Sequence, residues 1–188
     1  MLRPIVFAAF LSAVALLPAA DRDAKWATKL DQVGLPNLHC VTTNLYRCAQ
    51  PTVDGLKAAE KLGIKTVISL RAFHSDKAEI ESTKLKTERI RFNTWHAEDE
   101  DVVRFLKLVT GTNGGPFLIH CQHGADRTGT MIAIYRMAVE GWKKQDAIKE
   151  MTDGGFGYHT VWKNLIEYLN EIDIEALKKK AGILMPAK

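Results

Sequence analysis

Much is missing from this sequence, and each absence narrows what it can be. There is no internal repeat and no low-complexity segment, which excludes solenoids and arrays. Neither sign of charge is concentrated. Against 22 Asp and Glu stand 26 Lys and Arg, a formal +4 without any basic stripe, so nucleic acid is not indicated as a partner. The charge-free apolar stretch from Ile5 to Leu17 falls short of the roughly 20 residues that cross a bilayer as a helix. Cysteine is scarce, and Cys40, Cys48 and Cys121 form an odd set. What remains is an ordinary globular composition over 188 residues, the length of one domain with a sizeable core.

The ends read differently from the middle. Arg3, the apolar stretch and the small residues Pro18-Ala19-Ala20 look like a secretory signal over residues 1–20, cleaved near Ala19 or Ala20. An uncleaved N-terminal anchor is the alternative. The mature chain is then expected in the periplasm or outside the cell, with no stable membrane insertion. Residues 21–36 read as a loosely ordered polar lead-in, 37–175 as the folded domain and 176–188 as a basic C-terminal tail. Within Leu38–Gln50, two short strands flank Thr43-Asn44. A two-residue turn there places Cys40 by Arg47 and Cys48 by His39, a diagonal pairing with poor disulfide geometry. The expectation is two small buried side chains.

Strands and helices then alternate. Val53 to Leu62 is helical, with Thr52 or Asp54 as cap and Gly63 as stop. Lys65–Leu70 is a β-rich inner strand, Ser75–Lys84 a short charged helix, and Arg89–Thr94 an alternating strand. Asp101 to Thr110 is an amphipathic helix with Asp101 near its cap. Phe117-Leu118-Ile119 is a buried strand, followed by helices over about Arg127–Glu140, Lys144–Met151 and Thr160–Glu171. This order predicts an α/β domain, a central and mostly parallel sheet flanked by helices. Its ligand belongs at the carboxyl ends of the strands.

One segment at such an end carries chemistry: His120-Cys121-Gln122-His123-Gly124-Ala125-Asp126-Arg127-Thr128. Five residues between Cys121 and Arg127 suffice to curl the backbone into an anion nest, and Gly124 supplies the conformational freedom. The helix that opens there turns its positive end inward. Arg127 can fork two oxygens of a tetrahedral anion, and the same surroundings favour thiolate over thiol at Cys121. The backbone of Gln122, His123, Gly124, Ala125, Asp126 and Arg127 is the candidate phosphate cradle. Thr128 offers a hydroxyl to the sulfur. His120, Cys121 and His123 do not make a metal site, because the arginine at the mouth repels a cation and no fourth ligand is evident.

The segment resembles the signature of the cysteine-dependent protein tyrosine phosphatase superfamily, His-Cys-x-x-Gly-x-x-Arg-Thr/Ser, at every fixed position. Asn44–Pro51 and Gly154-Gly155-Phe156-Gly157 are similar to the bacterial, secreted dual-specificity-like members, and the likeness spans about residues 40–172. The resemblance implies hydrolysis of phosphomonoesters through a phosphocysteine, with no cofactor and no metal. Substrates would be phosphorylated proteins or, because some lipid phosphatases share the Asp126-Arg127 pair, phosphoinositides or inositol phosphates. It also implies a carboxylic acid on the loop Trp95–Asp101. Glu98 and Asp99 are equal candidates and Asp101 a third. Asp126, inside the cradle, is a rival. His120 is expected to hold loop backbone rather than to move protons.

Overall fold

A computed structural model describes residues 22–183. Its strands are β1 (Thr28–Lys29), β2 (His39–Thr42), β3 (Leu45–Cys48), β4 (Thr66–Ser69), β5 (Lys86–Arg89) and β6 (Phe117–His120). They form one sheet in the order β1-β2-β3-β6-β4-β5. The contacts of β6 with β3 and β4, and of β4 with β5, are parallel; β1-β2-β3 is an antiparallel edge. The expected mixed α/β architecture is present, with β6 in the interior of the sheet.

Alternation along the inner strands sorts side chains into two cores. Val67 and Leu118 face one way, with Leu35, Leu38, Leu56, Ala59 and Ile80. That layer holds α1 (Val53–Lys61) and α2 (Lys77–Ile80). Ile68, Phe117 and Ile119 face the larger core beneath α3 (Asp99–Thr110), α4 (Asp126–Ala138), α5 (Lys144–Asp153), α6 (Lys163–Glu171) and α7 (Ile174–Ala181). Helix α4 follows β6 and is buried on nearly every side, as a helix packed between sheet and neighbouring helices must be.

Several expectations are corrected. The lead-in is not loose: β1 pairs with β2, and Ala27 and Leu35 are buried. The supposed tail contributes α7, capped by Asp173 and anchored through Leu177 and Ala181 against the core. Strand β5 lies at Lys86–Arg89 rather than 89–94, because β4 offers a partner only from Thr66 to Ser69. The alternation that suggested the later span is still read out as burial, at Ile90, Phe92 and Thr94. Helix α3 begins at Asp99 with Glu98 as its cap, two residues early. Three acids in the first turn suit the positive end of the helix. Val161, inside the predicted span Thr160–Glu171, is exposed because α6 starts only at Lys163. A register irregularity between Cys40 and Thr42 sets Cys40 opposite Tyr46 rather than Arg47. All three cysteines are free, Cys48 buried and Cys40 partly so. The signal segment at 1–20 and the last residues, 184–188, lie outside the described residues, among which no helix is long and apolar enough to cross a membrane.

Candidate active site

Strand β6 delivers His120 and Cys121 to the carboxyl edge of the sheet, and α4 begins five residues later. The turn between them is built where β3 ends. Gly124 has φ +69°, and a Cβ there would lie 2.5 Å from the Cys48 carbonyl oxygen, so only glycine lets the loop lie against that strand. Cys121 is buried at the base of the turn. Thr128, in the first turn of α4, is fully buried and its hydroxyl meets no protein partner. Arg127 donates from Nη1 to the Leu70 carbonyl at 3.4 Å. This brings its guanidinium into a cavity of about 290 Å³ lined by Arg71, Phe73, Phe92, Trp95, Gln122 and Trp162 among others.

Behind Cys121 runs a buried polar chain. His120 places Nδ1 3.3 Å from the Cys121 carbonyl, the backbone contact the sequence suggested. Its Nε2 lies 2.9 Å from Oδ2 of Asp76. Gln50 Nε2 donates to Asp76 Oδ1 at 2.9 Å, and Arg71 Nη1 donates to Gln50 Oε1 at 2.9 Å. Burial works to raise the Asp76 carboxyl, but the hydrogen bond and charge of His120, with Gln50, outweigh it and hold it well below the usual carboxylate range. Asp76 was not visible in the sequence, where it is one charge among many in a short polar helix. Gln50 lies in the Asn44–Pro51 stretch that the resemblance had already marked.

The acids separate. Glu98 is exposed at the cap of α3, with Oε1 3.9 Å from His96 Nε2. Asp99 turns the other way. Its Oδ1 accepts the Tyr168 hydroxyl at 3.0 Å, and Oδ2 lies 3.6 Å from Lys180 Nζ, beside a different cavity lined by α3 and Lys180. Asp101 lines a third cavity with Asp76, Arg89 and Arg104; burial and then the Glu98 charge push its carboxyl up. Asp126 is buried and engaged: it accepts the His159 backbone N–H at 2.8 Å, and its Oδ2 lies 2.8 Å from His159 Nδ1. That ties the glycine-rich turn after α5 to the loop and occupies the carboxylate proposed as a rival acid. His123 is exposed, its ring edge-on to His159.

A buried carboxylate–histidine pair, a buried cysteine, a glycine-dependent turn and an arginine lining a cavity fall on and behind one loop. Residues 31–161 match the family model described as a DSP-PTPase phosphatase fused to NAD+ kinase. This chain belongs to the DSP-PTPase phosphatases. It is a cysteine-dependent phosphatase, and its relatives agree. The dual specificity protein phosphatase TpbA of Pseudomonas aeruginosa is 32% identical over 161 residues, 85% of this chain and 72% of that one. The crystal structure of TpbA superposes with a TM-score of 0.76 at 30% identity, covering 85% of this chain and 98% of TpbA. A cysteine-to-serine TpbA variant in complex with pTyr gives 0.77 at 29% identity, covering 86% and 99%. The catalytic core of the PP-IP phosphatase Siw14 from S. cerevisiae shares the fold at 19% identity and a TM-score of 0.69, over 81% of this chain and 94% of that one.

Proposed function

We propose that the chain dephosphorylates phosphotyrosine in proteins, and related aryl phosphates, through a phosphocysteine at Cys121. The observation that carries this reading is the lining of the Arg127 cavity. Phe73, Trp95 and Trp162 surround it with buried Phe92 behind, and Arg71 and Arg127 are the only cations in its lining among the described residues. A single phosphate on an aromatic ring matches such walls; an inositol polyphosphate calls for several more cations. Asp126, the residue that favoured the inositol reading, is bonded to His159, and TpbA, whose variant was crystallised with pTyr, supports the aryl one.

In this mechanism the Cys121 sulfur attacks phosphorus in line while the ester P–O bond breaks. Arg127 and the loop amides hold the equatorial oxygens. Glu98 gives its proton to the leaving oxygen and then takes one from the attacking water, as the P–S bond breaks and the sulfur leaves as thiolate. Thr128, its hydroxyl uncommitted, donates a hydrogen bond to that sulfur. Glu98 is preferred to Asp99 because Tyr168 and Lys180 hold Asp99 on the opposite side of the helix start. Glu98→Gln should lower kcat about a hundredfold on a phosphotyrosine peptide and less on p-nitrophenyl phosphate, whose leaving group needs little protonation. Asp99→Asn should leave both rates nearly unchanged. The reverse pattern would reassign the acid.

The substrate is tested by phosphate release from phosphotyrosine peptides against inositol polyphosphates. Faster turnover of the inositol compounds would overturn the reading. Residues 1–20 are proposed to direct export to the periplasm. N-terminal sequencing of the mature protein should begin near Asp21, and a chain that still starts at Met1 in the cytoplasm would refute export.

A further inference from the structure

The inner face of the loop serves the mechanism; its outer face is bonded as well. The Gln122 carbonyl accepts the Gln50 N–H at 3.2 Å, the His123 carbonyl accepts Asn37 Nδ2 at 3.1 Å, and the Gly124 carbonyl accepts Arg47 Nη2 at 2.6 Å. Three successive carbonyls are thus held by donors outside the turn. In a trans peptide the N–H of the next residue points opposite to the carbonyl. The amides of His123, Gly124 and Ala125 are therefore turned away from those donors, toward the centre of the loop.

Arg47 is the most unusual of the three donors. It sits in β3 beside Ile119, is wholly buried, and lies face-on to Phe156 with its guanidinium carbon 3.7 Å from the ring centre. Nε and Nη1 meet no acceptor among the described residues. Burial lowers it to about 10, opposed chiefly by Glu150 and then by Cys121. Glu150 is already forked by Arg136 through Nε at 2.7 Å and Nη2 at 2.8 Å. An arginine with no carboxylate of its own, bonded to the back of an anion-binding turn, is a charge directed at that turn.

The geometry points to Arg47 as a positioning residue for phosphate: from behind the loop it fixes the Gly124–Ala125 peptide with its N–H inward and polarises it toward the bound oxyanion. Asn37 does the same, more weakly, for the His123–Gly124 peptide. The effect acts through the backbone, since a charge-assisted bond to a carbonyl strengthens the donor at the other end of the same peptide. It rests on the phosphatase reading but not on the choice of substrate.

Orthovanadate, a phosphate mimic, provides the test. Its affinity is measured for wild type, Arg47→Lys, Arg47→Met and Asn37→Gly, with thermal melts alongside. Asn37 has φ +56°, so glycine keeps its backbone and removes the amide donor, which the His123 carbonyl shares with the Phe156 carbonyl at 2.9 Å. Affinity should fall about 50-fold in Arg47→Met, about 5- to 10-fold in Arg47→Lys, which keeps the charge but not the planar fork, and about threefold in Asn37→Gly. For phosphotyrosine peptide, kcat/KM should fall in the same order. A merely space-filling arginine would leave vanadate affinity unchanged in every folded variant, and that result overturns the proposal. Should Arg47→Met not fold, wild-type affinity in both Arg47→Lys and Asn37→Gly overturns it alone. A wild-type protein that neither binds vanadate nor releases phosphate would sink the phosphatase mechanism instead.

Discussion

Arg47, in β3, and Arg136, in α4, are both sealed inside this protein, and they are buried in opposite ways. Arg136 forks both oxygens of Glu150, bonds Glu140 Oε2 at 2.7 Å and covers Trp142. Burial alone would lower it, but Glu150 and Glu140 outweigh that and raise it. Arg47 has an aromatic face, one carbonyl and no carboxylate, and burial wins. A charge compensated on the spot is a structural device, because its field ends at its partner. A charge left uncompensated beside a binding loop keeps its field for whatever arrives there. The first belongs to the α4–α5 contact, the second to the chemistry.

Breaking each in turn should expose the difference. Arg136→Met strands the buried Glu150 carboxylate and should cost about 3–5 kcal/mol in urea melts. The kcat/KM of the molecules that remain folded should stay within about twofold of wild type. Pairing it with Glu150→Leu should recover most of the loss, since the pair and an apolar replacement are close in free energy. Arg47→Met should change stability by only about 1 kcal/mol, because it also removes the burden of a buried cation without a carboxylate. If it proves as destabilising as Arg136→Met, the contrast fails.

A further effect is a pH dependence in the same corner. His39 lies edge-on to Phe156, 4.7 Å between ring centres, on the ring that carries Arg47. Burial, and then the Arg47 charge, lower it to about 4, against a bond to the Asn37 carbonyl that raises it. The folded protein therefore keeps His39 neutral while the unfolded chain takes up a proton below about 6.5. Stability is constant above that pH, falls as pH drops from about 6.5 toward 4, and that contribution is gone below. Denaturant midpoints measured across this window should slope downward with acid, and His39→Phe should flatten the slope. A slope unaltered by the substitution would place the proton elsewhere.

The parts legible in the sequence were those with a local signature. Phe117–Ile119 announced a buried strand, the run from His120 to Thr128 its chemistry, and Gly63 the end of α1, whose cap lay between Thr52 and Asp54 until the structure gave it to Thr52. What escaped was decided at long range. The ladder of β5 ends where β4 stops offering a partner, not where the alternation of 89–94 does. The irregularity at Cys40 that moved the β2–β3 register has no marker in the residues themselves. Asp76 lies 44 residues before the histidine it bonds. Glu98 and Asp99 are neighbours in the sequence, and only the fold puts Tyr168 and Lys180 around Asp99. Arg47 did leave a trace, as a charge in the middle of an otherwise apolar strand. Such a residue asks for a partner, and the sequence does not say that the partner is a backbone carbonyl.

The most direct measurement is rapid acid quenching during turnover of a radiolabelled phosphotyrosine peptide, followed by mapping of the protein. Label should accumulate on the peptide that contains Cys121, decay on the timescale of hydrolysis, and be absent from Cys121→Ser, which should still bind the substrate without turning it over. Label appearing only as free phosphate, with Cys121→Ser still active, would contradict the account.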